Sequence, residues 1–223
     1  MLTVDCGGIE VTHAKHLDGG GPRTWPLFVE AVRTRMDRVG HAFEWCAGPG
    51  YIGFALLGSG LCDRLTLADV NPDAVEAARM TVRQNGLEDR VSVYLSDNLR
   101  SIPESEQWDF VVADPPHFPK PLERHIRDGY VLRSVDYDFA LHREFFATVR
   151  QHLNPGARLL IGESLRAGEE HQPFFRQLMA DNGFAPLEEP IRWEHMTRYV
   201  FFIEMLEAAK AEATQGEVMA DAT

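Results

Sequence analysis

Cysteine is scarce in this chain of 223 residues, with Cys6, Cys46 and Cys62 forming an odd count without metal-ligand spacing. That argues against a disulfide scaffold and a cysteine metal site, and the three read as reduced thiols of a cytoplasmic protein. Long apolar runs are missing too. None approaches the roughly 18 residues that span a bilayer, so no membrane partner is expected. The opening "MLTVDCGGIEVTH" lacks the basic-then-apolar layout of a secretory signal. Basic residues are in deficit, 22 Lys+Arg against 34 Asp+Glu, for a formal net charge of -12. Proteins that grip phosphate backbones normally show a basic face. The expectation from charge is therefore a small-molecule acceptor ahead of nucleic acid. Internal repeats are absent, and nothing in the sequence fixes the oligomeric state.

What is present is an ordinary globular composition, 44% hydrophobic and 25% charged, suited to one large single-sheet domain. After a Gly/Pro-rich loop at residues 18–26 the pattern predicts a helix over 27–40. Strand-like and helix-like runs then alternate. "HAFEWCA", "RLTLADV", "RVSVYLS", "WDFVVAD" and "ARLLIGES" are separated by helical stretches such as "PDAVEAARMTVRQNG", which has proline in its first turn and glycine at its end. "APLEEPIRW" and "RYVFFIEML" follow as two further strands that can pair antiparallel at an edge. The expected class is α/β, a Rossmann-like doubly wound seven-stranded sheet, mostly parallel with an antiparallel C-terminal edge. The expected layout is one domain over 1–207, its first 40 residues an N-terminal lid or helix, with a flexible tail over 208–223.

"EWCAGPGYIG" contains Gly48, Gly50 and Gly53, a G-x-G-x-x-G pattern where a strand ends and a helix begins. Dinucleotide-binding folds use the same pattern. Three acids argue for a different ligand. Glu44, four residues before the first glycine, is poorly placed for a pyrophosphate but suits an ammonium or a sulfonium, directly or through water. Asp69 ends the second strand, where its carboxylate can accept both hydroxyls of a ribose. Asp97 ends the third, placed to accept a proton from an amino group of adenine. Each alone reads as a cap or turn residue. One acid at the carboxyl end of each of three successive strands, at the edge where open α/β sheets bind ligands, points to a site.

With "WDFVVADPPH", these segments resemble the successive motifs of class I S-adenosylmethionine-dependent methyltransferases, over roughly residues 20–205. The resemblance implies S-adenosyl-L-methionine as cofactor. Glu44, Gly48 and Gly50 would hold its methionine part, Asp69 its ribose, and Asp97 with Asn98 its adenine. Cys46, Ala47, Gly53, Val70 and Asp114 complete the implied cofactor site.

"DPPH" resembles the (Asn/Asp)-Pro-Pro-(Tyr/Phe/Trp) motif of enzymes that methylate planar, weakly nucleophilic nitrogens. A lone pair delocalised into a π-system must be localised and aimed before it attacks. A side-chain oxygen of Asp114 and the carbonyl of Pro115 would each accept one N–H, and the prolines make the loop rigid. His117 stands where the stacking aromatic would be, as a weaker stacking partner or a base. Asp114 in place of asparagine suits an amine or a cation better than a neutral amide.

"GGGPRTWPLFVEAV" resembles the segment before the fold in glutamine-amide methyltransferases of peptide-release factors. Only about 25 residues precede its helix, so a relative without their N-terminal substrate domain is expected. Lys120, Arg124, His125, Arg127 and Arg133 form the densest basic cluster, readable as an anion anchor or as a solvated loop. "HAKH" with Asp18 fits no strong metal pattern and reads as surface histidines. The reading is an N-methyltransferase acting on an amino, amide or guanidine-type nitrogen of a small molecule. Its alternatives are an RNA base or protein side-chain nitrogen as acceptor, a dinucleotide-dependent oxidoreductase, and a non-catalytic cofactor-binding protein.

Overall fold

The computed structural model describes residues 1–18, 21–127, 129, 131–164, 171–193 and 198–205. The tail expected from residue 208 lies outside them. Five strands run parallel in the central sheet: β3 (Val39–Trp45), β4 (Cys62–Asp69), β5 (Val91–Leu95), β6 (Trp108–Ala113) and β7 (Leu153–Ser164). β8 (Phe184–Pro186), β9 (Ile191–Trp193) and β10 (Arg198–Met205) form the antiparallel edge. The order is β5-β4-β3-β6-β7-β10-β8, with β9 also on β10. The expected architecture is present, with eight strands where seven were expected. "APLEEPIRW" is interrupted: β8 pairs with Ile203–Met205 and β9 with Arg198–Val200 on the same neighbour. Glu188, Glu189 and Pro190 fall in the break, and charge and proline suit an edge that must not recruit another strand.

Alternation along each strand divides the interior. Phe110, Val112, Leu160, Val200 and Phe202 pack on one face with α1 (Gly21–Arg33) and α2 (Tyr51–Gly58). Val111, Ala113, Leu159, Ile161, Phe201 and Ile203 pack on the other, with α6 (Ala140–Thr148) and α7 (His171–Asp181). α3 (Pro72–Gln84) is capped by Asn71, whose side chain accepts from the Asp73 N–H at 3.0 Å. α1 starts and ends earlier than the pattern predicts and contains Pro26. α6 ends at Thr148, a 3-10 turn follows over Val149–His152, and β7 begins at Leu153. Its pairing with β6 shifts register between Trp108 and Phe110. The Asn154-Pro155-Gly156 segment is therefore a bulge inside the strand, with Gly156 at φ +78°.

One element has no counterpart in the sequence reading. Residues expected to belong to a lid or helix form an antiparallel hairpin, β1 (Leu2–Cys6) and β2 (Ile9–His13), turning at Gly7 and Gly8 with φ 66° and 94°. Cys6, Ile9 and Val11 face inward against α2. Contact is close: a Cβ on Gly58 would lie 2.5 Å from the Gly7 carbonyl oxygen. Asn85 fastens the other side, accepting from the Glu10 N–H and donating to the Glu10 carbonyl. His13, expected at the surface, is fully buried and hydrogen-bonded to the Tyr51 hydroxyl. His16 is exposed, 3.4 Å from Asp73.

Candidate active site

Strand order reverses between β3 and β6, and at their carboxyl ends lies a cavity of about 1100 Å³. Glu44, Cys46, Ala47, Gly48, Asp69, Val70, Asp97, Asn98, Asp114 and His117 line it. Gly50, Gly53 and Pro115 do not. Gly50, at φ 87°, turns the chain into α2 where a Cβ would strike Phe54 and Leu67. A Cβ on Gly53 would meet Glu44 at 2.7 Å and Leu65 at 2.8 Å. These two glycines thus shape the loop from behind. Asp114, Pro116, His117 and Phe118, the segment expected to meet the acceptor, form part of the wall.

The glycine loop is held by two of the acids expected to serve the ligand. Glu44 is buried and accepts the Gly53 N–H at 2.7 Å. Burial pushes its carboxyl up to about 8 against the pull of the Gly53 and Ile52 N–H groups, with Asp69 and Asp114 adding to the rise. A ligand ammonium would favour its ionisation. Asp69 accepts from the Gly48 N–H at 2.7 Å and the Asn71 N–H at 2.8 Å, one on each oxygen. Burial raises its pKa, and those N–H groups oppose the rise. A carboxylate has about four lone-pair sites, so beside the N–H groups of Gly48, Asn71 and Val70 it retains capacity for a ribose.

At the expected adenine end Asp97 and Asn98 separate. Asp97 is exposed and pairs with Arg100 at 2.6 Å, and Arg100 also forks onto Glu144. Asn98, in left-handed conformation at φ 54°, donates to the Leu141 carbonyl at 3.1 Å. Its Oδ1 is buried and, among the described residues, accepts no hydrogen bond. A buried amide oxygen needs a donor, and an adenine amino group is one. Val70, unusually exposed for valine at 46%, offers an apolar edge to the same space. These donors, acceptors and positive-φ turns fit S-adenosylmethionine.

His117 does not present its ring for stacking. It is 6% exposed, with Nε2 3.4 Å from Asp114 Oδ1 and Nδ1 3.3 Å from Glu163 Oε2. Glu163 Oε1 is 2.8 Å from His142 Nε2, and His142 Nδ1 is 2.6 Å from Asp136 Oδ2. The result is an alternating row Asp114–His117–Glu163–His142–Asp136. Burial opposes a charged His142 ring, yet Glu163 and Asp136 hold its pKa up to about 9. Burial likewise opposes ionised Glu163, but His142 and His117 hold it below the usual glutamate value. Asp136 also accepts the backbone N–H of Leu141 and His142, capping α6. This cap offsets the left-handed conformations of Asp138 and Phe139 just before it. Glu163, His142 and Asp136 escaped the sequence reading.

The row has a consequence for stability. An unfolded histidine gives up its proton near 6.5. His142 therefore contributes stability that is complete below that value and is lost as pH rises toward about 9. Glu44 acts with the same sign, because the folded state retains up to about 8 a proton that the unfolded chain gives up near 4.5. Calorimetry without added ligand should show the unfolding temperature falling steadily between pH 6.5 and 9. In His142→Gln the fall should be shallower; an equally steep fall would assign it to other groups.

The loop after β6 folds over the cavity. Its base is tied by backbone bonds, from the His117 and Phe118 N–H groups to the Ser134 carbonyl and from the Asp136 N–H to the Phe118 carbonyl. It carries α4 (Glu123–Arg127) and α5 (Val131–Ser134). Lys120, Arg124 and Arg127 are exposed, whereas His125 is buried against the Phe118 ring, centroids 4.6 Å apart. Arg133 donates to the carbonyls of His16 and Asp18, tying this loop to the N-terminal segment. Arg23, Arg124 and Arg133 all line the cavity.

Known proteins share this fold. The family model described as methyltransferase small domain matches residues 14–178. The ribosomal protein uL3 glutamine methyltransferase of Francisella tularensis is 24% identical, over 56% of this chain and 42% of its own length. The ribosomal RNA small subunit methyltransferase C of Actinobacillus pleuropneumoniae is 28% identical, over 68% of this chain and 39% of its own. The chain thus spans less than half the length of these curated relatives. Among solved structures, the T. thermophilus 16S rRNA N2 methyltransferase, in complex with AdoMet and guanosine, superposes with a TM-score of 0.61. It is 15% identical, and the match covers 92% of this chain and 50% of that one. Acceptors named for these relatives are RNA and protein, which overturns the small-molecule acceptor expected from net charge. A total charge averages over the whole surface and misses arginines gathered at one cavity. The chain therefore belongs to the methyltransferase small domain family, whose cofactor is S-adenosylmethionine.

Proposed function

We propose that this chain transfers a methyl group from S-adenosylmethionine to a planar nitrogen of an RNA base of the translation apparatus. The observation that carries the reading is Asp114, held at the end of β6 in the same cavity wall as the cofactor-holding acids. When bound, the cofactor supplies an electrophilic methyl group on a sulfonium. The chain's part is to orient the acceptor. Asp114 takes an N–H of the incoming amino group, which draws the nitrogen lone pair out of its π-system and fixes its direction. Pro116 and Phe118 confine the acceptor plane, and the looped segment above limits access of water. Arg23, Arg124 and Arg133 at the cavity supply charge for a backbone phosphate. Such a substrate is cytoplasmic, in keeping with three free thiols.

A protein glutamine amide is the second reading, supported by the similarity to the ribosomal protein uL3 glutamine methyltransferase. The same orienting acceptor serves an amide nitrogen. Incubating the protein and methyl-labelled S-adenosylmethionine with ribosomal subunits and with release factors from cells lacking this enzyme separates the two. Label on the nitrogen of a nucleoside supports the first reading and label on a glutamine supports the second. Label on oxygen or carbon, or none, removes both.

A further inference from the structure

With His117 buried, the cavity must offer its flat surface elsewhere. Most of the tryptophan, tyrosine and phenylalanine rings that line it are already engaged. Trp45 is buried and stacked on Phe145, centroids 3.9 Å apart, and Tyr51 is buried with its hydroxyl bonded to His13. Phe118 is buried too, packed on His125 with the Arg124 guanidinium 5.7 Å from its ring centre. Tyr137 differs. It is 57% exposed, and among the described residues its ring has no aromatic or cationic neighbour and its hydroxyl no hydrogen bond. A single exposed aromatic is ordinary on a protein surface. What singles out Tyr137 is its place.

The Asp136 N–H donates to the Phe118 carbonyl at 2.9 Å, and the Asp138 N–H to the Pro119 carbonyl at 3.0 Å. The residues on either side of Tyr137 are thus bonded to the segment that follows the acceptor motif. Asp138 and Phe139 then take left-handed conformations, φ 52° and 55°, which residues other than glycine rarely adopt. Such strain persists where neighbouring contacts over-determine a turn, here the two backbone bonds and the Asp136 cap on α6. Leu132, 62% exposed on α5, lines the cavity as well, so two large apolar side chains stand open to water at its rim. Residues 118–135 hold four basic side chains, Lys120, Arg124, Arg127 and Arg133, against two acidic, Glu123 and Asp128. That is a net +2 in a chain of net -12. An open ring beside a basic segment suits a nucleotide, whose base stacks while its phosphate meets a cation.

We infer that Tyr137 is a substrate-binding residue whose ring stacks on the base next to the one being methylated, so that the acceptor is an unpaired stretch of RNA. A base that reaches Asp114 inside the cavity has left its own stack. Its neighbour has then lost a stacking partner, and a ring more than half exposed at the rim replaces it. A base inside a duplex shows its faces only to the pairs above and below it and cannot lie on Tyr137. The inference rests on the RNA reading above and narrows it to single-stranded or looped substrate.

Methyl transfer is measured to ribosomal and transfer RNA extracted from cells lacking this enzyme, with calorimetric titration of S-adenosylhomocysteine alongside. Tyr137→Ala should raise KM for the RNA about tenfold, while kcat and S-adenosylhomocysteine affinity stay within about threefold. Tyr137→Phe and Tyr137→Trp keep a ring and should hold KM within about threefold of the parent. Annealing the RNA to its full complement should abolish transfer. An unchanged KM in Tyr137→Ala overturns the inference, and so does undiminished transfer to the annealed duplex. If Tyr137→Phe is as impaired as alanine, the hydroxyl and not the ring is responsible, and stacking is wrong. Weakened S-adenosylhomocysteine binding in Tyr137→Ala would put the ring on the cofactor, which also overturns it. A parent enzyme that labels no RNA, or labels only protein glutamine, defeats the RNA reading itself before any variant is compared.

Discussion

Replacing Asp114 by alanine is expected to lower kcat about a hundredfold or more while cofactor affinity stays within a fewfold. The reason lies in where the carboxylate stands. It follows β6 in the cavity wall, while Glu44, Asp69 and Asn98, the residues expected to hold the cofactor, lie on β3, at the end of β4 and after β5. Removing it leaves the acceptor N–H without its orienting partner and His117 facing a void. Asparagine at the same place separates two mechanisms. If Asp114 acts only as an acceptor of hydrogen bonds, the amide oxygen can replace it, and much of the rate should survive. If negative charge is needed, asparagine should fall nearly as far as alanine. Steady-state kinetics with the labelled acceptor, alongside calorimetric cofactor titration, tells these apart. Equal loss of turnover and of cofactor binding in Asp114→Ala would show that the group belongs to the cofactor site instead.

Asp69→Ala should weaken S-adenosylmethionine and S-adenosylhomocysteine by roughly tenfold to a hundredfold, about 1.5–3 kcal/mol. Two ribose hydroxyls lose their acceptor. The glycine loop also loses a tether, because the same carboxylate holds the Gly48 and Asn71 N–H groups. Asp69→Asn should fall between parent and alanine, since one amide oxygen can satisfy only part of that demand. Isothermal titration supplies the numbers, and an unchanged affinity in the alanine variant would remove Asp69 from the site.

Much of this site was legible because its outer members lie at regular places in the chain. Glu44, Asp69, Asp97 and Asp114 each close or nearly close a strand recognisable from its β-branched and aromatic run, and a parallel sheet brings such ends to one edge. Asp97 shows the limit of that logic: it lines the cavity at the sheet edge, but its pairing with Arg100 three residues later is not encoded in the strand pattern. The hairpin at the start has a clear signature in the sequence. Val4, Cys6, Ile9 and Val11 alternate with polar residues around Gly7-Gly8, the signature of a tight two-residue turn. Glu163 and His142 were not available in the same way. They meet His117 and Asp136 through a sheet register and a helix docking angle, and no spacing along the chain encodes that meeting. The mistaken acceptor has a similar origin, since summed charge carries no information on where arginines gather.

The tied base of the loop after β6 bears on how such enzymes diversify. With the Phe118 N–H bonded to the Ser134 carbonyl and the Asp136 N–H to the Phe118 carbonyl, the segment between them leaves and returns at one point. Lengthening a closed loop adds little entropic cost, about 0.6 kcal/mol per doubling. An ancestor could therefore exchange this segment wholesale, acquiring a new partner in one event while inheriting its methyl-donor chemistry unaltered.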